Sequence, residues 1–403
     1  APNDLQRKDP TIIGLYGGYG YLDLSFLRIV GVRAPGSNPD AIDKSLFGEG
    51  NPPPYQSQKG DKNLLCSLKM LRTVLKALSI RELPPQVADS RRRADEWAAR
   101  RPALDSSSDE LLGYLQEYRN VFAPVFANHM VTTFTASIVG GLLSDGATAA
   151  GDPTLVTNLM GAYGDVASAQ YARQMWEVAR VVRANPVVAA AFDHGVGGLL
   201  ERLDSVPDSV EFRERFARFV TEYGHRGPND WEISSRTWEN TPELALASIN
   251  CMRLAQHDLD PVTRLGAIEQ TRAEAVAKVL PHLKLMDKVN FRKAVKVMGF
   301  WFRGREGTRD QAIRMHLPTR QVFFELARRV VEQGACTDPR DVALLDPYEE
   351  LPKCIADPSA WADTIRQRAE LRDRFASVEP PFFITSQDDV PGIEQMEATA
   401  RQH

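Results

Sequence analysis

Two short stretches of this chain concentrate the side chains able to hold and steer a charged group. The first, Tyr223 to Trp238, reads YGHRGPNDWEISSRTW and packs His225, Arg226, Asp230, Glu232, Arg236 and two tryptophans around Gly224, Gly227 and Pro228. Glycine permits tight turning or close approach, and the residue before a proline is pushed out of helical geometry, so the segment reads as a turn between helices. The second is Arg303-Gly304-Arg305-Glu306-Gly307-Thr308-Arg309. Guanidinium forks grip phosphoryl oxygens in pairs and neutralise the charge that spreads in a phosphoryl-transfer transition state. Arg305 and Arg309 share a face if the segment is helical, and Glu306 is placed to hold one of them. Each stretch also has a plain structural reading. His225 and Arg226 would cap a helix end with the tryptophans packing the corner, and the arginines would form a surface ion-pair network.

Helices must position these residues. Val210 to Tyr223 carries an apolar stripe of Phe212, Phe216, Phe219, Val220 and Tyr223, and it delivers the chain into His225. Thr241-Pro242-Glu243 opens the next helix in the manner of a cap with proline at the first turn. Helical periodicity continues over Asp260–Leu280, Lys284–Phe302 and Leu317–Gln333, the last closed by Gly334. Upstream, Leu64, Leu68, Leu71, Leu75 and Leu78 recur at helical spacing, and a helix runs from Asp165 to a stop at Asn185-Pro186. Pro124 should kink or break the apolar segment Tyr114–Phe134, which includes His129, a core histidine by its setting. The Gly/Ala/Ser-rich run Ser137–Gly151 suits close helix packing or a hinge.

The first sixty or so residues lack this periodicity. Aromatic and small residues alternate around Tyr19 and Tyr21, which predicts a short strand or two, and Arg33–Tyr55 reads as a surface loop around Phe47. Gly14, Gly17, Gly18 and Gly20 fit neither a Walker A loop nor a dinucleotide fingerprint, so they read as turn glycines. The expected fold is mainly α: a large irregular helical domain with a small β element near the N-terminus. The expected division is an N-terminal strand and loop region (1–62) packed on the helical body, a helical substrate-binding domain (63–384) and a flexible tail (385–403).

Composition narrows the function classes. A net charge of −4 over 403 residues offers no basic footprint for nucleic acid. No apolar run approaches the roughly 20 residues of a membrane span, so no membrane is expected as a partner. The four scattered cysteines form no metal-binding pair, so no metal site is expected and they read as reduced thiols of a cytoplasmic protein. A start at Ala1 and an end at His403 read as a processed or excised piece.

Gly224-His225-Arg226-Gly227-Pro228 followed by Glu232 resembles a stretch of the middle, substrate-binding domain of the rifampin phosphotransferase and phosphoenolpyruvate synthase-like family. Tyr21-Leu22-Asp23-Leu24-Ser25 is similar to the short strand that opens that domain. Arg305, Glu306 and Arg309 match its Arg-Glu-x-x-Lys stretch facing the phosphoryl donor, with arginine in place of lysine. Arginine keeps the charge but not the compact ammonium. Asp341–Leu351 matches more loosely, and the resemblance runs from Tyr21 to about Ile384.

The resemblance implies an acceptor module in a phosphohistidine relay. ATP and Mg would be bound by a partner ATP-grasp domain, and a swivelling domain would carry the phosphoryl group on its own histidine. Both partners lie elsewhere in the same polypeptide or on another subunit, and this chain itself would bind no cofactor. The acceptor is a small organic molecule. Arg305, Arg309 and His225 would serve transfer, with His225 orienting rather than carrying the phosphoryl group. Arg226, Glu232, Arg303 and Glu306 would bind the substrate or the phosphoryl oxygens. Two alternatives remain: a binding or scaffolding module without chemistry, and a ligase-like relative that activates a carboxylate.

Overall fold

Helical periodicity dictates the architecture, and the structure is mainly helical with one small β-hairpin near the N-terminus. The computed structural model describes residues 13–401 apart from 17–18, 35–37, 48–51, 162, 164–165, 256–260 and 385–390. Gly17, Gly18, the expected helix starts at Asp165 and Asp260, and the first part of the tail therefore lie outside the described residues. Contacts divide the chain into two units, residues 1–76 with 360–403, and residues 77–359.

In the first unit, β1 (Ile13–Tyr16) pairs antiparallel with β2 (Tyr19–Leu22), Ile13 facing Leu22 and Tyr16 facing Tyr19. The Asp23 carboxylate accepts from the Phe26 amide at 3.0 Å and starts α1 (Leu24–Arg33). Tyr21–Ser25 is thus not one strand. An aspartate cap turns it into helix after Leu22. Within what reads as a loop around Phe47, Pro39–Phe47 forms α2. Arg28 ties α1 to α2 through both oxygens of Asp43, at 2.7 Å each. In α3 (Leu64–Ala77) the helix forms as its spacing requires, but Leu64, Leu68 and Leu75 stay exposed.

The second unit holds α4 (Pro85–Ala99), α5 (Ser108–Ala149), α6 (Leu155–Met160), α7 (Ala167–Ala184), α8 (Pro186–Asp193), α9 (Leu199–Asp204), α10 (Val210–Tyr223), α11 (Glu243–Leu254), α12 (Pro261–Val279), α13 (Leu285–Glu332) and α14 (Leu351–Ala356). The chain then returns to the first unit as α15 (Ala362–Ala376) and α16 (Ile393–Ala400). There the hydroxyls of Tyr19 and Tyr21 donate to the carbonyls of Val378 and Pro381, at 3.1 and 2.8 Å.

The spine of the second unit is α5 against α13. Neither Pro124 nor Pro318 ends its helix: α5 runs 42 residues and α13 runs 48. A proline removes one ladder hydrogen bond and crowds the carbonyl four residues back, and burial along so long an interface outweighs that local cost. The unbroken α5 is, by length and composition, apolar enough to cross a membrane, contrary to a reading that divides it at Pro124. It packs along α13, with Thr132, Val139, Leu143 and Ala147 buried and the Thr132 hydroxyl 2.8 Å from that of Thr308. α4 closes the pair on one side, with Trp97 stacked on Tyr114 at 3.8 Å and donating to the Thr319 hydroxyl at 3.0 Å. A second core, built on Phe192, Phe212, Phe216 and Phe219, joins α7 to α11.

The small-residue run in α5 serves close packing. A Cβ on Gly146 would fall 2.6 Å from the Phe291 ring of α13, whereas one on Gly141 would meet nothing within 4 Å. Gly146→Ala should therefore destabilise by about 1–3 kcal/mol through overpacking. Gly141→Ala should stabilise by roughly 0.5–1 kcal/mol through helix propensity. Urea unfolding midpoints of the two variants check the opposite signs.

Candidate functional site

α10 ends at Tyr223, and the next residues fold back on themselves. The Trp238 amide donates to the Arg226 carbonyl at 2.9 Å, and the Glu239 amide to the Gly224 carbonyl at 3.1 Å. Two glycines make this closure possible. A Cβ on Gly227 would sit 2.5 Å from the Arg236 carbonyl, and one on Gly224 would sit 2.4 Å from the Val220 carbonyl.

The closed loop is fastened to α13 by charge. His225 donates from Nε2 to Asp310 Oδ1 at 3.1 Å, an assignment forced by the carboxylate, which only accepts. Arg226 lies between two acids, 3.2 Å from Asp230 and 3.6 Å from Asp310. Arg309 reaches the other oxygen of Asp230 at 2.9 Å. Behind them, Arg320 donates to the carbonyls of His225, Asp230 and Glu232, at 3.3, 2.6 and 2.9 Å. Burial pushes the Asp310 carboxyl upward, but the hydrogen bond from His225 and the charges of His225, Arg226 and Arg314 outweigh it. The net shift is downward.

The two stretches singled out in the sequence therefore meet. Their orienting acids are Asp230 and Asp310, in place of Glu232 and Glu306. The Glu232 carboxylate turns back to cap Ser234 at 3.1 Å, and Glu232 is hydrogen-bonded to the network through its carbonyl. Glu306 stands 4.0 Å from Arg305. The Arg303 guanidinium packs over Phe300 and donates to the Gly299 carbonyl, outside the network. His225 has a side chain only 2% exposed, so any effect of its ring on a ligand passes through Asp310. Arg305 and Arg309 have side chains 40% and 26% exposed, which leaves them as the guanidinium groups open to an incoming anion.

Beside them stands an aromatic wall. Tyr118, Phe122 and Phe126 follow one face of α5, and Trp231 of the loop meets Phe126 edge-on at 6.1 Å. His316 lies 5.3 Å from Phe122 and 2.7 Å from the Tyr118 hydroxyl, and His129 lies 5.7 Å from Trp231. The Arg309 guanidinium sits 5.9 Å from the centre of the Trp231 ring. Burial, with help from Arg305 and Arg309, lowers His129 to about 4, and burial with Arg320 and His225 lowers His316 to about 3. Both rings are neutral near pH 7. Among the described residues no cluster of His, Cys, Asp or Glu is placed to hold a metal ion. The arrangement offers positive charge and a flat apolar surface side by side.

Residues 122–310 match the family described as the rifampicin phosphotransferase fourth domain. The matched segment makes up a little under half of the chain. The match spans α5 from Phe122 to Asp310 of α13, and so contains the whole network except Arg314 and Arg320. The prodigiosin synthesizing transferase PigC of Serratia marcescens is 28% identical over 155 residues, 38% of this chain and 17% of that protein. Proteins of Mycobacterium tuberculosis and Mycobacterium bovis are each 29% identical over 184 residues, 45% of this chain and 18% of theirs. The chain thus matches less than a fifth of the length of these relatives.

Within the fourth-domain segment, sequence reasoning passed over Asp310 and read Asp230 only as part of a turn. Asp310 follows Arg309 directly, and the alternation of acid and base on both partners was the available signal. Arg320 gave none, because its hydrogen bonds go to backbone carbonyls that only the closed loop presents.

The two depressed histidines set a direction for acid sensitivity. A histidine held neutral in the folded state and free to protonate near 6.5 when unfolded makes the unfolded chain bind more protons below that pH. Stability is present above about 6.5 and falls as pH drops toward 4 and then 3, by at most about 1.4 kcal/mol per pH unit for each ring. His129→Gln and His316→Gln should each flatten the loss of unfolding free energy between pH 6.5 and 4.5. A slope equal to that of the parent protein in both variants would refute the assignment.

Proposed function

We propose that this chain is the acceptor-binding part of a phosphohistidine-relay phosphotransferase. In this reading ATP and Mg bind an ATP-grasp domain, and a swivelling domain brings a phosphohistidine to the site formed by Arg305 and Arg309. The observation that carries it is the meeting of the His225–Asp230 loop with Arg309 through one buried carboxylate, beside the aromatic wall. The small organic acceptor lies against Trp231, Phe122 and Phe126, which suits a molecule with an aromatic or flat apolar part. Its hydroxyl attacks phosphorus, a P–O bond forms as the P–N bond of the carrier breaks, and the departing carrier imidazole keeps the P–N electron pair and takes up the hydroxyl proton. Arg305 and Arg309 neutralise the oxygens of the transferring group, since donors fixed beforehand stabilise charge without reorganising. Asp230 aims Arg309, and His225 with Arg226 holds Asp310 and Asp230 in place. The fourth-domain match over residues 122–310 supports the reading, as does the similarity to a transferase that synthesizes prodigiosin.

One observation favours a second reading, a binding module without chemistry. Arg309 is already paired with Asp230, so its charge is spoken for in the absence of any ligand. Arg305 separates the two, because its weak 4.0 Å approach to Glu306 adds little to stability.

The test supplies ATP-grasp and carrier domains, charges the carrier histidine with labelled phosphate, and follows label transfer with rifampicin as the probe acceptor. Arg305→Ala should lower the transfer rate by about a hundredfold or more while the unfolding midpoint stays within error. Arg309→Ala should lower both, because it also frees Asp230. Unchanged transfer in Arg305→Ala, or stable label on a histidine of this chain after incubation with ATP alone, would contradict the proposal.

A further inference from the structure

A cavity beside Arg320 is not used by the proposed transfer site. It has a volume of about 530 Å³ and is lined by the loop at Ser234–Thr241, by α13 around Arg320 and Phe324, and by the turn at Asp338–Arg340. Three arginines, Arg236, Arg320 and Arg340, face it, together with the amide-bearing side chains of Asn240 and Gln321.

The local charges are unevenly satisfied. Arg340 is neutralised by Asp338, which accepts from its Nε at 3.0 Å. Glu239 accepts from Gln321. Arg236 is exposed and makes no ion pair among the described residues. Arg320 is 1% exposed, yet its hydrogen bonds run to three backbone carbonyls and none to a carboxylate. Its Nε is buried with no partner at all. A buried guanidinium without a hydrogen-bonded counter-ion is costly, and a cavity beside it that also holds an unpaired arginine is where an anion would relieve that cost. Burial accordingly lowers the Arg320 guanidinium from its ordinary value, against the pull of Asp230, Tyr118, Glu232 and Glu239.

We propose that this cavity binds the phosphate group of a small phosphorylated molecule, with Arg236 and Arg320 as its charged contacts and Arg340 at its rim. Phosphate fits better than a carboxylate, because its oxygens point in several directions and the lining offers two guanidinium groups without a carboxylate partner, Arg236 and Arg320. The volume leaves room for more than a bare phosphate. Because Arg320 also holds the carbonyls of His225, Asp230 and Glu232, an anion here rigidifies the loop that presents Asp230. The site does not depend on the transfer chemistry proposed above.

Calorimetric titration of the chain with sodium pyrophosphate, with sodium chloride at matched ionic strength and citrate as comparisons, tests this. Saturable binding of pyrophosphate is expected, with affinity at least about tenfold weaker in Arg236→Ala and unchanged in Arg305→Ala. Arg236 is exposed and unpaired, so its removal leaves the fold intact, and equal unfolding midpoints confirm that. The proposal is overturned if chloride reproduces the effect, if citrate alone saturates, or if binding is lost in Arg305→Ala but kept in Arg236→Ala. That last outcome would move the phosphate to the other site without touching the transfer reading.

Discussion

The carboxylate of Asp230 is the interaction on which the rest depends. Its side chain is 5% exposed, and a buried charge is tolerated only when paired and hydrogen-bonded. Its two oxygens take different partners, Arg226 from its own loop and Arg309 from α13. One aspartate thereby fixes the register between a loop and a helix. Removing it would leave two arginines facing each other around an empty centre, which is why the loop and α13 stand or fall together.

That pairing needs α13 to be straight and unbroken where the loop docks. The α5–α13 spine provides this through a polar seam inside an apolar interface. Thr132 and Thr308 share a hydroxyl contact at 2.8 Å, and His129 lies 3.3 Å from Thr308. The seam carries order from the spine to the site, since Thr308 precedes Arg309 and His129 faces Trp231. Gly304 and Gly307 let α13 approach Pro84 and Val87, where a Cβ on Gly304 would stand 2.8 Å from the proline ring. A chain with bulkier residues at these places would hold α13 away from α4 and the turn before it.

Much of this was legible beforehand and some was not, for physical reasons. Helical content, the amphipathic α10 and the tight loop at Gly224 and Gly227 follow from periodicity and from local backbone rules. The fate of Pro124 and Pro318 does not, because the local penalty of proline is outweighed by burial that depends on a partner helix far away in sequence. The exposed leucines of α3 fail in the other direction: spacing reveals a helix and its apolar face, but not what covers that face. In the candidate site the basic residues were visible as clusters. The acids that aim them were not, because Asp230 has an equally good local role in a turn and Asp310 gains its meaning only when His225 and Arg226 arrive. Arg320, bound to carbonyls alone, has no sequence pattern to betray it.

The claim at the centre of this account is that the His225–Asp230 loop and the Arg305–Arg309 segment form one site through Asp230. A double-mutant cycle on unfolding free energy with Asp230→Asn, Arg309→Met and the combined variant measures that link directly. The account predicts an interaction energy of about 1–3 kcal/mol, with the double variant less destabilised than the sum of the singles. Additive effects, with an interaction energy within about 0.3 kcal/mol of zero, would show that the two segments are neighbours without being coupled and would contradict it.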